Sequence, residues 1–167
     1  QLYNGPTVIG TPVTGTGSAL VFVAFSSPGT YTVVVNPGTP CATVMTGSVI
    51  ISTNPLPTDH PLINSGSYCS GGGGIVVALT GSDIGVSYQL NRTTSTGTVS
   101  VGAPLSGTGA PISFGPQTIA GSYTITAINT TTGCNRTLTS TVSLIFHALP
   151  ALIPISGGGT YCAGGAG

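Results

Sequence analysis

The stretch Gly66-Ser-Tyr-Cys69 returns 93 residues later as Gly159-Thr-Tyr-Cys162. Other landmarks recur at a similar spacing: Cys41 with Cys134, Gly29-Thr-Tyr-Thr32 with Gly121-Ser-Tyr-Thr124, Gly15-Thr-Gly17 with Gly107-Thr-Gly109, and Gln1-Leu2 with Gln89-Leu90. Self-similarity at a fixed period is the sequence signature of a repeat architecture. The sequence therefore predicts a section of a tandem array with a repeat of about 93 residues.

These landmarks divide the chain into three predicted segments. Residues 1–57 are the C-terminal part of one repeat, residues 58–150 are a complete repeat, and residues 151–167 are the start of the next. The proline-rich stretch Asn54-Pro-Leu-Pro57 is expected to be a semi-rigid linker. Two alternatives stay open for the incomplete segments: the chain is a window from a longer polypeptide, or another chain donates a strand to the joint.

The composition is dominated by glycine, proline and uncharged residues. Of the 167 residues, only Arg92, Arg136, Asp59 and Asp83 carry formal charges, whereas ordinary domains are about 25% charged. Binding to nucleic acid or anionic lipid requires clustered lysine or arginine, so no nucleic-acid partner is predicted. No apolar run approaches the roughly 18 residues of a membrane span, so no membrane insertion is predicted either.

The pattern of apolar residues predicts an all-β fold. Gly121–Asn129 alternates, which places Tyr123, Ile125 and Ala127 on one face of a strand. Ile75–Leu79 is predicted as a core strand, and Ala19–Phe25 as a strand buried on both faces because its residues are continuously apolar. Further strands are predicted at Tyr31–Val35, Val44–Ser52, Pro61–Ile63, Val86–Leu90, Ile112–Phe114 and Leu138–Phe146, with a weak edge strand at Val99 and Val101 and a polar loop at Asn91–Gly97. About seven short strands per unit are typical of a β-sandwich.

The four cysteines recur with the repeat. Within the complete repeat they are Cys69 and Cys134, and we expect these two to form one disulfide per repeat, since paired cysteines in small loop-rich domains usually do so in oxidising compartments. The alternative is two buried thiols. Cys41 and Cys162 are then expected to pair outside this window or between chains. The cysteines lack the short spacings of a zinc site, so no metal is predicted.

No catalytic residue and no cofactor is predicted. The candidate titratable groups of the complete repeat are Asp59, His60, Asp83 and His147. Asp59 and His60 are adjacent, so on a strand they would face opposite sides. Neither aspartate recurs in the other copies, so the repeats cannot share a carboxylate pair. A calcium site would need several carboxylates at each junction, which this chain does not have.

The order of Tyr68-Cys69, Tyr88, Gly121-Ser-Tyr-Thr124, Gly133-Cys134 and a final strand ending in Leu149-Pro150 resembles the immunoglobulin-like (PKD/Ig-like) tandem repeats of large secreted Bacteroidetes cell-surface proteins. The resemblance covers the complete repeat and both partial ones. It implies an extracellular or cell-surface location. The chain departs from those repeats in having no tryptophan, and Tyr88 is nearest to that position. Tyr123 and Tyr31 lie where a tyrosine corner could form, but we expect core tyrosines.

These observations predict a structural role. Neutral β-proteins do not repel one another, which favours association. We expect a non-catalytic section of an extracellular filament, stalk or surface fibre, whose partners are neighbouring repeats or copies of itself. The alternative is an adhesin whose loops at the ends of the sandwich bind surface glycans or other cells.

Overall fold

The computed structural model describes residues 1–160 and 162–164, which contain strands and no helix. The chain divides into two compact units, Gln1–Pro55 (unit 1) and Leu56–Gly167 (unit 2). The division lies two residues before the predicted boundary at residue 57. Residues 151–160 and 162–164, in the predicted start of a third segment, form no strand, and Tyr161 of the recurring motif lies outside the described residues.

Unit 1 is one antiparallel sheet. Its strands are β1 (Leu2–Asn4), β2 (Thr7–Ile9), β3 (Gly29–Val35), β4 (Thr43–Val44) and β5 (Val49–Ile51). The order is β2-β1-β3-β4, and β5 pairs with the first half of β3. β1 and β2 form a hairpin through a turn at Gly5, whose φ of 56° suits glycine. The predicted strand Val44–Ser52 is thus split into the two short strands β4 and β5.

The prediction of a buried strand at Ala19–Phe25 was wrong. These residues form no strand, and Val21 and Val23 are exposed. The physical reason is the absence of a pairing partner, because unit 1 has no second sheet among its described residues. An apolar run indicates what a segment can bury, but a strand also needs a neighbour for its backbone hydrogen bonds.

The described part of unit 2 contains nine strands. They are β6 (Leu62–Ile63), β7 (Gly66–Cys69), β8 (Ile75–Leu79), β9 (Val86–Thr94), β10 (Gly97–Ser106), β11 (Ile112–Gln117), β12 (Gly121–Asn129), β13 (Asn135–Thr137) and β14 (Val142–His147). One sheet has the order β10-β9-β12-β14-β7, with β13 also on β12, and the other has the order β11-β8-β6. All pairs are antiparallel except β14 with β7, which is parallel.

The two sheets of unit 2 share one apolar core. β8 supplies Val77 and Leu79, and the alternating face of β12 supplies Tyr123, Ile125 and Ala127, all of them buried as predicted. The remaining buried members of the core are Leu62, Val86, Tyr88, Leu90, Leu138, Val142 and Leu144. Both sheets thus contribute side chains to one core, which explains why these side chains are shielded from solvent.

Two details of unit 2 differ from the predictions. The predicted polar loop Asn91–Gly97 is mostly strand, because β9 continues to Thr94 and β10 begins at Gly97, so the hairpin is tighter and its strands are longer. Tyr123 is buried as expected for a core tyrosine, but its hydroxyl also donates to the Ile119 carbonyl at 2.7 Å. This hydrogen bond to the backbone four residues upstream is the interaction of a tyrosine corner.

Candidate functional site

The first candidate site is a set of polar contacts that fixes residues 57–60, the last residue of the predicted linker and the three that follow it, to the rest of unit 2. We call these contacts the linker clasp. On one side, Arg136 Nη1 donates to the Pro57 carbonyl at 3.2 Å, and the Arg136 guanidinium lies 3.8 Å from the Asp59 carboxylate. The Thr139 amide donates to Asp59 Oδ1 at 3.1 Å. Three hydrogen-bonding or charged groups around one linker segment hold its backbone in place.

His60 and Asp83 form the other side of the linker clasp. His60 Nε2 lies 2.9 Å from Asp83 Oδ1, and the Thr58 amide donates to Asp83 Oδ2 at 2.7 Å. The Asp83 amide in turn donates to the buried Tyr88 hydroxyl at 2.8 Å. Asp59 and His60, which are adjacent in sequence, thus contact different partners. Asp83 connects His60 and Thr58 to the buried Tyr88 hydroxyl.

Both carboxyl groups of the linker clasp have a pKa below the ordinary value. Hydrogen bonds from Thr139 hold the pKa of Asp59 below its ordinary value, with a smaller contribution from Arg136. Partial burial raises the pKa of Asp83, but hydrogen bonds from His60 and Thr58 outweigh it, and the net shift is downward. Each carboxylate is therefore ionised at neutral pH and accepts hydrogen bonds from the groups around it.

The structure brings together three of the four candidate titratable residues. Asp59, His60 and Asp83 meet in the linker clasp. His147 lies elsewhere, at the end of β14 and opposite Cys69. The sequence did not reveal Arg136 as a contact of the linker; its partners are 77 and 79 residues away in the chain. The only available signal was the scarcity of charge itself, since isolated charges in a neutral chain favour pairing.

The second candidate site is an apolar groove on unit 1, with a volume of about 570 Å³. Its lining includes Leu2, Phe25, Tyr31, Met45, Val49 and Ile51. The rings of Phe25 and Tyr31 stack with centroids 5.7 Å apart. Met45 and Val49 are 53% and 65% exposed, so the groove is an open apolar surface. An apolar surface of this kind marks a place where another segment can bind.

The cysteines do not form the predicted disulfide, and the described residues contain none. The strand register gives the reason. Cys134 accepts a hydrogen bond from the Asn129 amide at the C-terminal end of β12, whereas Cys69 pairs with His147, three residues beyond the pair of Leu144 with Gly121 at the N-terminal end of β12. The nine residues of β12 therefore separate them by at least roughly 26 Å, and a disulfide requires Cα atoms within about 7 Å.

Cys69 lies exposed at the end of β7, and Cys134 lies half-buried just before β13. Cys41 and Cys162 are exposed, and their pairing outside the chain stays a prediction. No group of three or more histidine, cysteine or acidic residues is arranged for a metal ion among the described residues. Within the same residues no helix is long and apolar enough to span a membrane.

Comparison with known proteins gives no relative: no family model, curated protein or solved structure matches this chain. The resemblance to Bacteroidetes repeats thus rests on the quoted motifs alone. The fold itself is all-β, with antiparallel and mixed sheets.

Proposed function

We propose that this chain is a non-catalytic, structural section of an extracellular filament, stalk or surface fibre built from tandem immunoglobulin-like units. The observation that carries the proposal is that unit 1 and the larger sheet of unit 2 have the same strand register. We interpret the two units as copies of one repeat, of which unit 1 contains the later strands.

The register agreement extends across the sheet. Strands β1, β3, β4 and β5 correspond to β9, β12, β13 and β14. Paired residues in unit 1 have counterparts in unit 2 at offsets of 88, 92 or 93 residues: Leu2 with Val33 and Leu90 with Ile125, Tyr31 with Val49 and Tyr123 with Val142, Gly29 with Ile51 and Gly121 with Leu144, and Val34 with Val44 and Thr126 with Thr137. A generic sheet would share strand order without sharing register, because register is set by each local pattern.

Side-chain hydrogen bonds repeat as well. The Gln1 side-chain amide donates to the carbonyls of Leu2, Ile9 and Gly10, and that of Gln89 donates to the carbonyls of Leu90, Val101 and Gly102. The hairpin of unit 1 is four residues shorter, as the changed offset of Gln1-Leu2 predicts. Tyr31 donates to the carbonyl four residues upstream, as Tyr123 does. These contacts are specific to residue type, so they support common descent of the two units.

The electrostatics of the chain also support a structural role. Both acidic residues of the chain are in the linker clasp, where they hold the linker on unit 2. A stiff fibre needs residues at its junctions that are held in place, whereas a flexible tether does not. The rest of the surface is close to neutral, which lowers the repulsion between laterally packed copies.

An antibody raised against the recombinant chain tests the proposal. Immunogold electron microscopy of intact, non-permeabilised cells that make the protein should label extended fibres outside the cell. The mass of the native polypeptide, reduced and denatured, should be measured on the same material, because it gives the number of units in the array. Labelling confined to the cell interior would overturn the proposal, and so would an antigen that is released as a globular monomer.

A further inference from the structure

The apolar groove of unit 1 corresponds to a surface that is covered in unit 2. The groove residues Met45 and Val49 correspond to Leu138 and Val142 at the repeat offset of 93. In unit 2 these positions are 3% and 2% exposed, against 53% and 65% in unit 1. Two equivalent apolar positions are therefore buried in unit 2 and exposed to solvent in unit 1.

In unit 2 part of the cover comes from the segment that follows the linker. Leu62 of β6 is buried in the core, and its amide donates to the Ser140 hydroxyl at 2.7 Å. Further along, β7 lies parallel to β14, with Gly66 opposite Leu144 and Tyr68 opposite Phe146. This segment thus closes the edge of the sheet and contributes one of the residues that cover its apolar face.

The chain carries a second version of that covering segment. Residues 151–160, which we call the donor segment, correspond to residues 58–67: Ile153-Pro-Ile155 matches His60-Pro-Leu62, and Gly159-Thr160 matches Gly66-Ser67. Leu152, Ile153 and Ile155 are almost completely exposed. An uncharged run of exposed aliphatic side chains marks a segment that can bind another apolar surface.

The donor segment and unit 1 also differ from unit 2 in a correlated way. In unit 2, Asp59 of the linker lies beside Arg136 of β13. At the corresponding positions the donor segment has Leu152 and unit 1 has Thr43. An aspartate beside Thr43 would lose its cationic partner, and a leucine beside Arg136 would leave the guanidinium without its carboxylate. The residue in each covering segment therefore matches its proposed neighbour: Asp59 matches Arg136 in unit 2, and Leu152 of the donor segment matches Thr43 in unit 1.

We propose that the apolar groove of unit 1 binds the donor segment of a second copy of this chain, so that copies associate head to tail. Gly159 of the donor would lie opposite Ile51 on β5, as Gly66 lies opposite Leu144, and Ile155 would enter the groove at the place of Leu62. The proposal rests on the repeat correspondence given under the proposed function. Residues 151–160 correspond to β6 and to the first two residues of β7, so the donor segment reproduces part of the cover that unit 2 has.

Sedimentation velocity of the purified chain tests the proposal. The experiment runs in reducing buffer, so that cysteines do not contribute, across about 1 to 200 µM, where small apolar contacts give measurable association. We expect concentration-dependent self-association. Ile155→Asp should weaken it by about 10- to 100-fold, since it removes one buried aliphatic side chain and adds a charge to the contact.

Leu149→Asp is the matched control. Leu149 precedes the donor segment and corresponds to Leu56. Leu56 is exposed, although Pro57 and Asp59 just after it are held by Arg136 and Thr139. The control should therefore associate as the unchanged chain does. Equal effects of Leu149→Asp and Ile155→Asp would indicate that any added charge disrupts association, and would overturn the proposed register.

A charge exchange tests which residues meet. Leu152→Asp alone should weaken association, and adding Thr43→Arg to the same chain should restore it, because every contact between two copies then recreates the Asp59–Arg136 pair. A chain that stays monomeric throughout the concentration range overturns the proposal. Association that survives deletion of residues 151–167 also overturns it, and points to pairing of exposed strand edges instead. Neither result affects the antibody experiment, which does not depend on how units are joined.

Discussion

The contrast between the covered and the open sheet makes a quantitative prediction about two equivalent core positions. Leu138→Ala removes a side chain that is 3% exposed and packed in the core of unit 2. Buried leucine-to-alanine changes cost about 2–5 kcal/mol, because they lose transfer free energy and leave a cavity. We expect about 3 kcal/mol here, near the middle of that range.

The matched change in unit 1 is Met45→Ala. Met45 is 53% exposed, so about half of its side chain is already in water, and nothing encloses the space that it would vacate. Burying a whole methionine contributes about 1.5–3 kcal/mol, and half of that burial gives an expected cost near 1 kcal/mol. The difference between the two positions should therefore be about 2 kcal/mol.

Native-state hydrogen exchange with mass spectrometry separates the two units, because peptides from β3 report on unit 1 and peptides from β12 report on unit 2. Both substitutions should be made in a chain that also carries Ile155→Asp, so that the proposed docking does not cover Met45. Equal costs at the two positions would refute the assignment of an open groove to unit 1. A cost below about 1 kcal/mol for Leu138→Ala would refute the closed core of unit 2.

Three further predictions concern single contacts. Tyr123→Phe should cost about 1 kcal/mol in the free energy of unfolding, because the Ile119 carbonyl loses its donor; an unchanged urea midpoint would contradict this. Gly107→Ala should destabilise unit 2 by about 1–3 kcal/mol, since its Cβ would overlap the Asp83 carbonyl oxygen, whereas Gly15→Ala at the equivalent open position should be tolerated, as thermal unfolding of both variants can show. The pKa of Asp83 is lowered on folding. Its stabilisation is therefore present above the unfolded pKa of about 3.9 and is lost as the pH falls through the folded pKa. Asp83→Asn should flatten the decline of the melting temperature as the pH falls below about 4, and an unaltered decline would count against the linker clasp.

The elements that the sequence predicted best are those whose signal is local. β8 and β12 begin and end at the predicted residues, because alternating or continuous apolar residues are bounded there by glycine, threonine and asparagine. The run Ala19–Phe25 has an equally strong apolar signal and forms no strand. Its failure shows that a strand depends on a partner elsewhere in the chain, and a local window cannot tell whether that partner is present.

The linker clasp was outside the reach of local reasoning for a related reason. Asp59 and His60 were recognised as isolated titratable residues, but Arg136, Thr139 and Asp83 lie 23 to 80 residues away in the sequence. Nothing in the spacing indicates that these residues meet. The scarcity of charge was a better guide than any motif, since a chain with four formal charges places two aspartates and an arginine within one set of contacts.

The cysteines show where periodicity itself stops being informative. A disulfide within each repeat and a disulfide between neighbouring repeats give the same recurrence, one copy of each cysteine every 93 residues. The strand register distinguishes them, because β12 separates Cys69 from Cys134 by its whole length. The N-terminal linker of unit 2 is held at Arg136, near the end that carries Cys134, and β14 leaves beside Cys69 at the other end. The register therefore excludes Cys134 as the covalent partner of Cys69, although both cysteines lie in the same predicted repeat, because a disulfide needs Cα atoms within about 7 Å.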